Sequence, residues 1–71
     1  MVNRRDARLD KHIGKRVTII FWDGVTKTGV LSWENEYNPN RGLKPFMYHL
    51  LLDDGVYFGF RKSSVTRIEI R

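Results

Sequence analysis

Apolar and polar residues alternate with a period of two over most of the chain after residue 15, the pattern of half-buried strands. The first run, Arg16–Trp22, ends at an Asp-Gly pair, which is a common hairpin turn, and the second run is Thr26–Trp33. Three further runs follow, Phe46–Leu52, Val56–Arg61 and Val65–Ile70, with a second turn of Asp and Gly between the first two. The pattern predicts five short strands.

The first 14 residues have a different pattern, which predicts a short helix. Asn3 can cap its start, Asp6 suits the positive end of a helix, and Gly14 is a natural stop, so we predict a helix over Arg4–Ile13. Leu9 lies on its narrow apolar stripe, which must pack on something larger to be stable. We expect the helix to lie against the strands.

Together these elements predict a mainly β fold, in which a short N-terminal α-helix precedes a five-stranded, strongly bent antiparallel small barrel of the Sm-like or SH3-like kind. With 71 residues, the chain has room for a single domain, residues 1–71. The polar segment 35–45, rich in Asn and Pro, has no usable period and is predicted to be an exposed loop. Loops of this length often carry function.

The amino-acid composition limits the kinds of partner and binding site that this protein is expected to have. No cysteine is present, so a small domain of this size gains robustness by self-association, and the commonest zinc sites are excluded. We expect a cytoplasmic protein that is not inserted in a membrane, because no apolar run is long enough to span one. Residues 1–16 hold six of the 13 basic residues against two acids, hence four of the five net positive charges. Such a local excess favours nucleic acid as the partner.

Strand four has an apolar face that is suited to self-association. Val56, Phe58 and Phe60 alternate along it, and an edge strand with such a face invites a neighbouring subunit. We therefore predict a homo-oligomer with these three residues at its interface. Phe58→Asp is expected to shift the oligomer towards monomer.

Two segments carry a family resemblance. The stretch GKRVTIIFWDGVTKTGVLSWENE, Gly14–Glu36, resembles the first Sm motif, and FRKSSVTRIEI, Phe60–Ile70, is similar to the second motif. The placement of FRKS also resembles the Tyr-Lys-His-Ala segment of the Hfq-type members of the family. The resemblance implies a ring of subunits joined through strands four and five, with RNA near the pore. It also implies that Arg61 and Lys62, which match the lysine and the histidine of that segment, meet phosphates or base edges.

The leading hypothesis is a binding module for single-stranded nucleic acid, most simply RNA. Basic side chains of the helix and of the turn before strand five would contact phosphates, and an aromatic residue in the loop would stack on a base. The candidate nucleic-acid-binding residues are Arg4, Arg5, Arg8, Tyr37, Arg41, Arg61 and Lys62. Trp22 and Trp33 could stack on bases too, but their places on alternating strand faces favour core or interface positions.

Two other hypotheses stay open. One is a protein-interaction or inhibitor domain, such as a phage-encoded antagonist, that engages a protein partner through the loop 35–45 and an exposed strand edge. The other is a ring that holds small nucleotides at its subunit interfaces. An enzyme is not predicted, because no nucleophile and base pair or phosphate-cradling glycine loop is recognisable. No cofactor is predicted either, nor a metal site, since His12 and His49 have no other ligand at suitable spacing.

Overall fold

The computed structural model describes residues 5–34, 40 and 47–71, and in these ranges the protein is one antiparallel β-sheet with a short helix before it. The elements in chain order are α1 (Ala7–Asp10), β1 (Arg16–Phe21), β2 (Thr26–Glu34), β3 (Met47–Leu52), β4 (Tyr57–Phe60), a short 3-10 helix (Lys62–Ser64) and β5 (Val65–Ile70). The prediction of a mainly β fold with five antiparallel strands is confirmed. The predicted loop 35–45 lies outside the described residues, apart from Asn40, which is exposed.

The sheet is not closed into a barrel. Its strand order is β4-β3-β2-β1-β5, so β1, β2 and β3 each pair with the next strand along the chain, and β5 returns to pair with β1. Among the strands that the structure describes, β4 and β5 form the two edges of the sheet. Closure into a barrel, which the bent-sheet pattern predicted, is not confirmed within a single chain.

Two hairpins with the same geometry join β1 to β2 and β3 to β4. In the first, Gly24 N–H donates to the Phe21 carbonyl at 2.9 Å, and Gly24 has a φ of 86°. In the second, Gly55 N–H donates to the Leu52 carbonyl at 3.0 Å, with a φ of 84°. Glycine is favoured at both positions because a side chain strains the left-handed backbone. The Asp-Gly signals of the sequence therefore predicted both turns correctly.

The helix is shorter than predicted and begins later. Asp6 is its cap, because a side-chain oxygen of Asp6 accepts the Arg8 N–H at 2.8 Å, and the helix ends at Asp10 instead of Ile13. The predicted cap, Asn3, lies outside the described residues. The apolar stripe was too narrow for a longer helix, since Leu9 is fully buried while Ile13 is exposed. Burial of Leu9 contributes roughly 2 kcal/mol to holding the helix on the sheet.

The core lies on the inner face of the sheet and under α1. Its members are aliphatic and aromatic residues from all five strands and the helix: Leu9, Val17, Ile19, Phe21, Leu31, Tyr48, Leu50, Phe60 and Val65. Phe21 packs edge-on against Phe58 and Phe60, with ring centroids 5.6 and 5.4 Å apart, which links the first hairpin to β4. The contacts among these three rings therefore hold the end of β1 against the edge strand β4.

Candidate nucleic-acid interface

The turn between β4 and β5 lies against the start of the helix. Lys62 Nζ donates a hydrogen bond to the Arg5 carbonyl at 3.2 Å, although the two residues are far apart in sequence. Arg8 lies in the adjoining first turn of α1. Arg5, Arg8 and Lys62, three of the predicted nucleic-acid-binding residues, are thus brought to one end of the molecule and are called the basic cluster below.

Local structure fixes the position of this turn. Lys62 opens the 3-10 helix, whose Ser64 N–H bonds the Arg61 carbonyl at 3.0 Å, and Arg61 itself has an extended backbone and an exposed side chain. The 3-10 helix connects two strands of the sheet directly, so Arg61 and Lys62 are held on a rigid support. Rigid support lowers the entropy lost when a side chain contacts a ligand.

Two of the cations already form ion pairs with carboxylates. Arg5 makes three hydrogen bonds of 3.1 to 3.2 Å to Asp10, and Arg8 contacts Asp6 at 3.2 Å. The hydrogen bond to Asp10 raises the pKa of Arg5, and the bonds from Arg8 lower the pKa of Asp6.

These ion pairs distinguish stronger from weaker candidates for phosphate contacts. Arg5 and Arg8 must exchange a protein carboxylate for a phosphate, which reduces the gain from binding. Arg61 forms none of the ion pairs found among the described residues. Arg61 is therefore the strongest candidate for a phosphate contact, and Lys62 follows it directly in the same turn.

A polar network anchors the helix beneath the basic cluster. The buried Tyr48 accepts a hydrogen bond from Asp6 N–H at 2.7 Å and donates one to Asp10 Oδ1 at 2.6 Å. The Arg5 guanidinium lies 4.8 Å from the centre of the Trp33 ring, a cation–π geometry. Trp33 packs partly buried against the core, as its strand face predicted, with an edge-on contact to Tyr48.

The remaining predicted contacts fall elsewhere. Arg4, Tyr37 and Arg41 lie outside the described residues, so the proposed stacking residue of the loop is without a structural account. In the parts of the chain that the structure covers, no group of three or more His, Cys, Asp or Glu side chains is arranged to hold a metal ion. No helix in those parts is long and apolar enough to cross a membrane.

The three predicted interface residues do not form one exposed face. Val56 is exposed in the turn before β4, Phe58 is partly buried against the core, and Phe60 is a core residue with 5% of its surface exposed. The side chain of Phe60 is thus used inside its own chain. What β4 offers to a second molecule is mainly its backbone.

At both sheet edges, the register shows which residues direct their backbone groups away from the sheet. In an antiparallel ladder, alternate residues direct N–H and C=O to the same neighbour. Leu52 N–H bonds the Val56 carbonyl, which places Phe58 in the set bonded to β3 and leaves Tyr57 and Gly59 directed outward. The residue after β5, Arg71, donates its N–H to the Arg16 carbonyl, and the same alternation leaves Ile68 and Ile70 of β5 directed outward.

Trp22 is exposed, although its strand face favoured a core or interface position. It lies at the tip of the first hairpin with 76% of its surface exposed, so the core position is wrong. A groove beside it, of about 320 Å³, separates this hairpin from β4 and is called the hairpin groove below. Its lining includes Phe21, Trp22, Phe58, Phe60, Arg61 and Ser64. The alternation of apolar and polar residues assigns a residue to one face of a strand, but it does not show which face the rest of the protein covers.

No family model, no curated protein and no solved structure matches this chain. The resemblance of its two motifs to the Sm family therefore stays a prediction.

Proposed function

We propose that this protein binds single-stranded nucleic acid, most simply RNA, as an Sm-like homo-oligomer. The observation that carries the proposal is the Lys62 bond to the Arg5 carbonyl, which joins the start of the helix, residues 5–10, to the turn at residues 61–62. Four cations, Arg5, Arg8, Arg61 and Lys62, lie in these segments with two carboxylates, Asp6 and Asp10, for a net charge of +2 per chain. An oligomer multiplies this charge along a bound strand.

The open sheet supports the oligomer. Strands four and five, through which the Sm resemblance implies that subunits join, are the two edges of this sheet. The outward residues of β4, Tyr57 and Gly59, can pair antiparallel with Ile70 and Ile68 of a second copy, which satisfies the backbone groups of both edges. Because the two edges differ, this contact is head to tail, and repeated contacts close a ring or extend a filament.

The nucleic-acid part is tested by the salt dependence of binding. We expect affinity for a short single-stranded RNA to fall steeply with salt, because cations at the phosphates release counterions. Arg61→Ala with Lys62→Ala should lower the slope of log affinity against log salt by on the order of 1 to 2. Filter binding or fluorescence anisotropy across a salt series measures this slope.

A matched control removes the same charge elsewhere. Lys15 and Arg67 are exposed and lie outside the basic cluster, and the double variant Lys15→Ala with Arg67→Ala should leave the slope closer to that of the parent. Equal slopes for the two double variants would mean that only net charge matters. Absence of RNA binding by the parent at low salt would remove the proposal and favour a protein partner.

The oligomer is tested at the edge of β5. Ile70 has 61% of its surface exposed, and its N–H points outward, so Ile70→Pro deletes an edge donor without breaking a bond to β1. We expect a parent oligomer in sedimentation velocity and a smaller species for Ile70→Pro. Ile70→Ala keeps the N–H and should stay closer to the parent. A parent that is monomeric across a wide concentration series would rule out the oligomer.

A further inference from the structure

Trp22 has an unusual position for the largest apolar side chain. It lies at the tip of the hairpin between β1 and β2 with 76% of its surface exposed, whereas Trp33 packs against Tyr48 with ring centroids 4.8 Å apart. Trp22 is not among the core residues in the part of the chain that the structure describes, and a tryptophan left in water loses the stabilisation that burial gives. Exposed aromatic residues of this kind are common where a protein stacks on a flat ligand.

The hairpin groove beside Trp22 has the size and chemistry of a small binding site. Its volume of about 320 Å³ is at the lower end of small-molecule sites, which run from roughly 300 to 1,000 Å³. Aromatic side chains, Phe21 and Phe58, line its apolar part, and Asp23, Arg61 and Ser64 supply polar groups at the same groove. A planar heterocycle with hydrogen-bonding edges matches this combination.

The groove is continuous with the proposed phosphate contacts. Arg61 lines it, and the next residue, Lys62, belongs to the basic cluster. A nucleotide whose phosphate meets Arg61 therefore has its base close to the groove and to Trp22. A base stacks on an aromatic ring whatever its identity, so such a site adds affinity with little sequence preference.

We infer that Trp22 is the stacking platform for one base of the single strand whose phosphates are held by Arg61 and Lys62. The inference rests on the proposed function, because the strand is the one bound by the basic cluster. A second copy that fills the hairpin groove with a side chain, beyond pairing with the backbone edge of β4, would compete with the base, and this alternative is one outcome of the test.

The test uses Trp22 as its own reporter. The chain has two tryptophans, so Trp33→Phe leaves Trp22 as the single tryptophan, whose emission is selected by excitation above the tyrosine absorption band. We expect short oligo-U and oligo-A to quench its emission, and an abasic oligonucleotide of the same length to leave the emission unchanged. Should Trp33→Phe fail to fold, the difference in quenching between the parent and Trp22→Ala gives the same information.

Affinity measurements give the second readout. Trp22→Ala should weaken RNA binding about five- to hundredfold, the usual loss for one base stack, and should keep the salt slope of the parent. Trp22→Phe should recover most of the loss. The exposed Trp22 can be replaced without opening the core, so the variants are expected to fold.

The outcomes separate this inference from the proposed function. RNA binding that is salt-dependent but unaffected by Trp22→Ala, with no quenching, overturns the stacking site and leaves the proposed function standing. No RNA binding at low salt removes both. Trp22 emission that changes with protein concentration, and not with RNA, assigns the hairpin groove to a second copy and overturns the inference.

Discussion

Tyr48 shows how one hydroxyl holds the helix on the sheet. Its ring is buried in the core, and its oxygen bonds both Asp6 N–H and the Asp10 carboxylate. Burial, followed by the bond to Asp10, raises the pKa of Tyr48, and the Tyr48 bond, ahead of the Arg5 bonds, lowers the pKa of Asp10. The charged carboxylate and the neutral phenol are therefore the forms that the fold selects.

Tyr48→Phe tests this anchor. The variant keeps the ring in the core but leaves Asp6 N–H and the Asp10 carboxylate without their shared partner, so the free energy of unfolding should fall by about 1 to 2 kcal/mol. Urea denaturation at neutral pH measures the loss. A change below the error of that measurement would mean that water replaces the hydroxyl at no cost.

The same variant has a predicted pH dependence. Because the folded-state pKa of Asp10 is depressed, its contribution to stability is present above the ordinary Asp range, about 4, and is lost as pH falls through the depressed value. The stability difference between the parent and Tyr48→Phe should therefore shrink below pH of about 4. A urea series from neutral to acid pH checks this, and a difference that stays constant with pH would contradict the charged bond.

Some single residues could be predicted from sequence and some could not. The turn glycines Gly24 and Gly55 were recognisable because an Asp-Gly pair between two alternating runs has few other uses. Asn3 was predicted as the helix cap, whereas Asp6 caps the helix and its N–H is held by a tertiary contact, the bond to Tyr48. The exposure of Trp22 likewise depends on which side of the sheet the chain covers.

At the scale of elements, the spacing between β2 and β3 depends on Gly29. A Cβ at this position would overlap the Leu51 carbonyl oxygen and lie 2.9 Å from the Leu51 carbonyl carbon. A glycine inside a strand pattern often marks a sharp bend. The structure shows a close approach of two backbones, which a local pattern could not reveal because Leu51 belongs to another strand.

Gly29→Ala should separate these strands locally and lower stability by about 1 to 3 kcal/mol, the range for overpacked sites. Gly24→Ala is the matched control: its Cβ meets nothing within 4 Å, and its cost of about 1 to 2 kcal/mol comes from a φ of 86° alone. Asparagine should recover part of the loss at Gly24, because it tolerates that backbone, and none at Gly29. Recovery at both sites in thermal denaturation would contradict the steric account of Gly29.

Strand boundaries followed the sequence closely for a physical reason. β5 matches its predicted range, and β2 extends one residue beyond its own, because one face of each strand is buried and the alternation survives in the sequence. The helix differed most from its predicted range, because its stability depends on the packing of one leucine, Leu9, and not on the pattern of its own residues.

At the scale of the whole molecule, the predicted closure into a barrel is the part that was not confirmed. Pairs of strands that follow each other along the chain could be expected from the sequence, but the pairing of β5 with β1 could not. The alternation also does not show whether β4 and β5 meet. The outward-directed residues of the two edge strands could be identified only from the strand register, because the register decides the direction of the Ile70 and Gly59 backbone groups.

The strand order also has a consequence for the time course of folding. β1 to β4 form by successive local hairpins, whereas β5 must return from the end of the chain to reach β1. Closing that long loop costs entropy before its contacts form, so we expect β5 to join after the transition state.

Ile68→Val measures this order. Ile68 packs against the core from β5, opposite Ile19 of β1, and the lost methyl should cost about 1 kcal/mol. Stopped-flow kinetics should show unfolding roughly fivefold faster with little change in the folding rate, whereas Ile19→Val should slow folding. Slower folding of Ile68→Val would instead place β5 in the nucleus. With β5 last to form and first to leave, any partner that covers its edge would lengthen the lifetime of the folded chain.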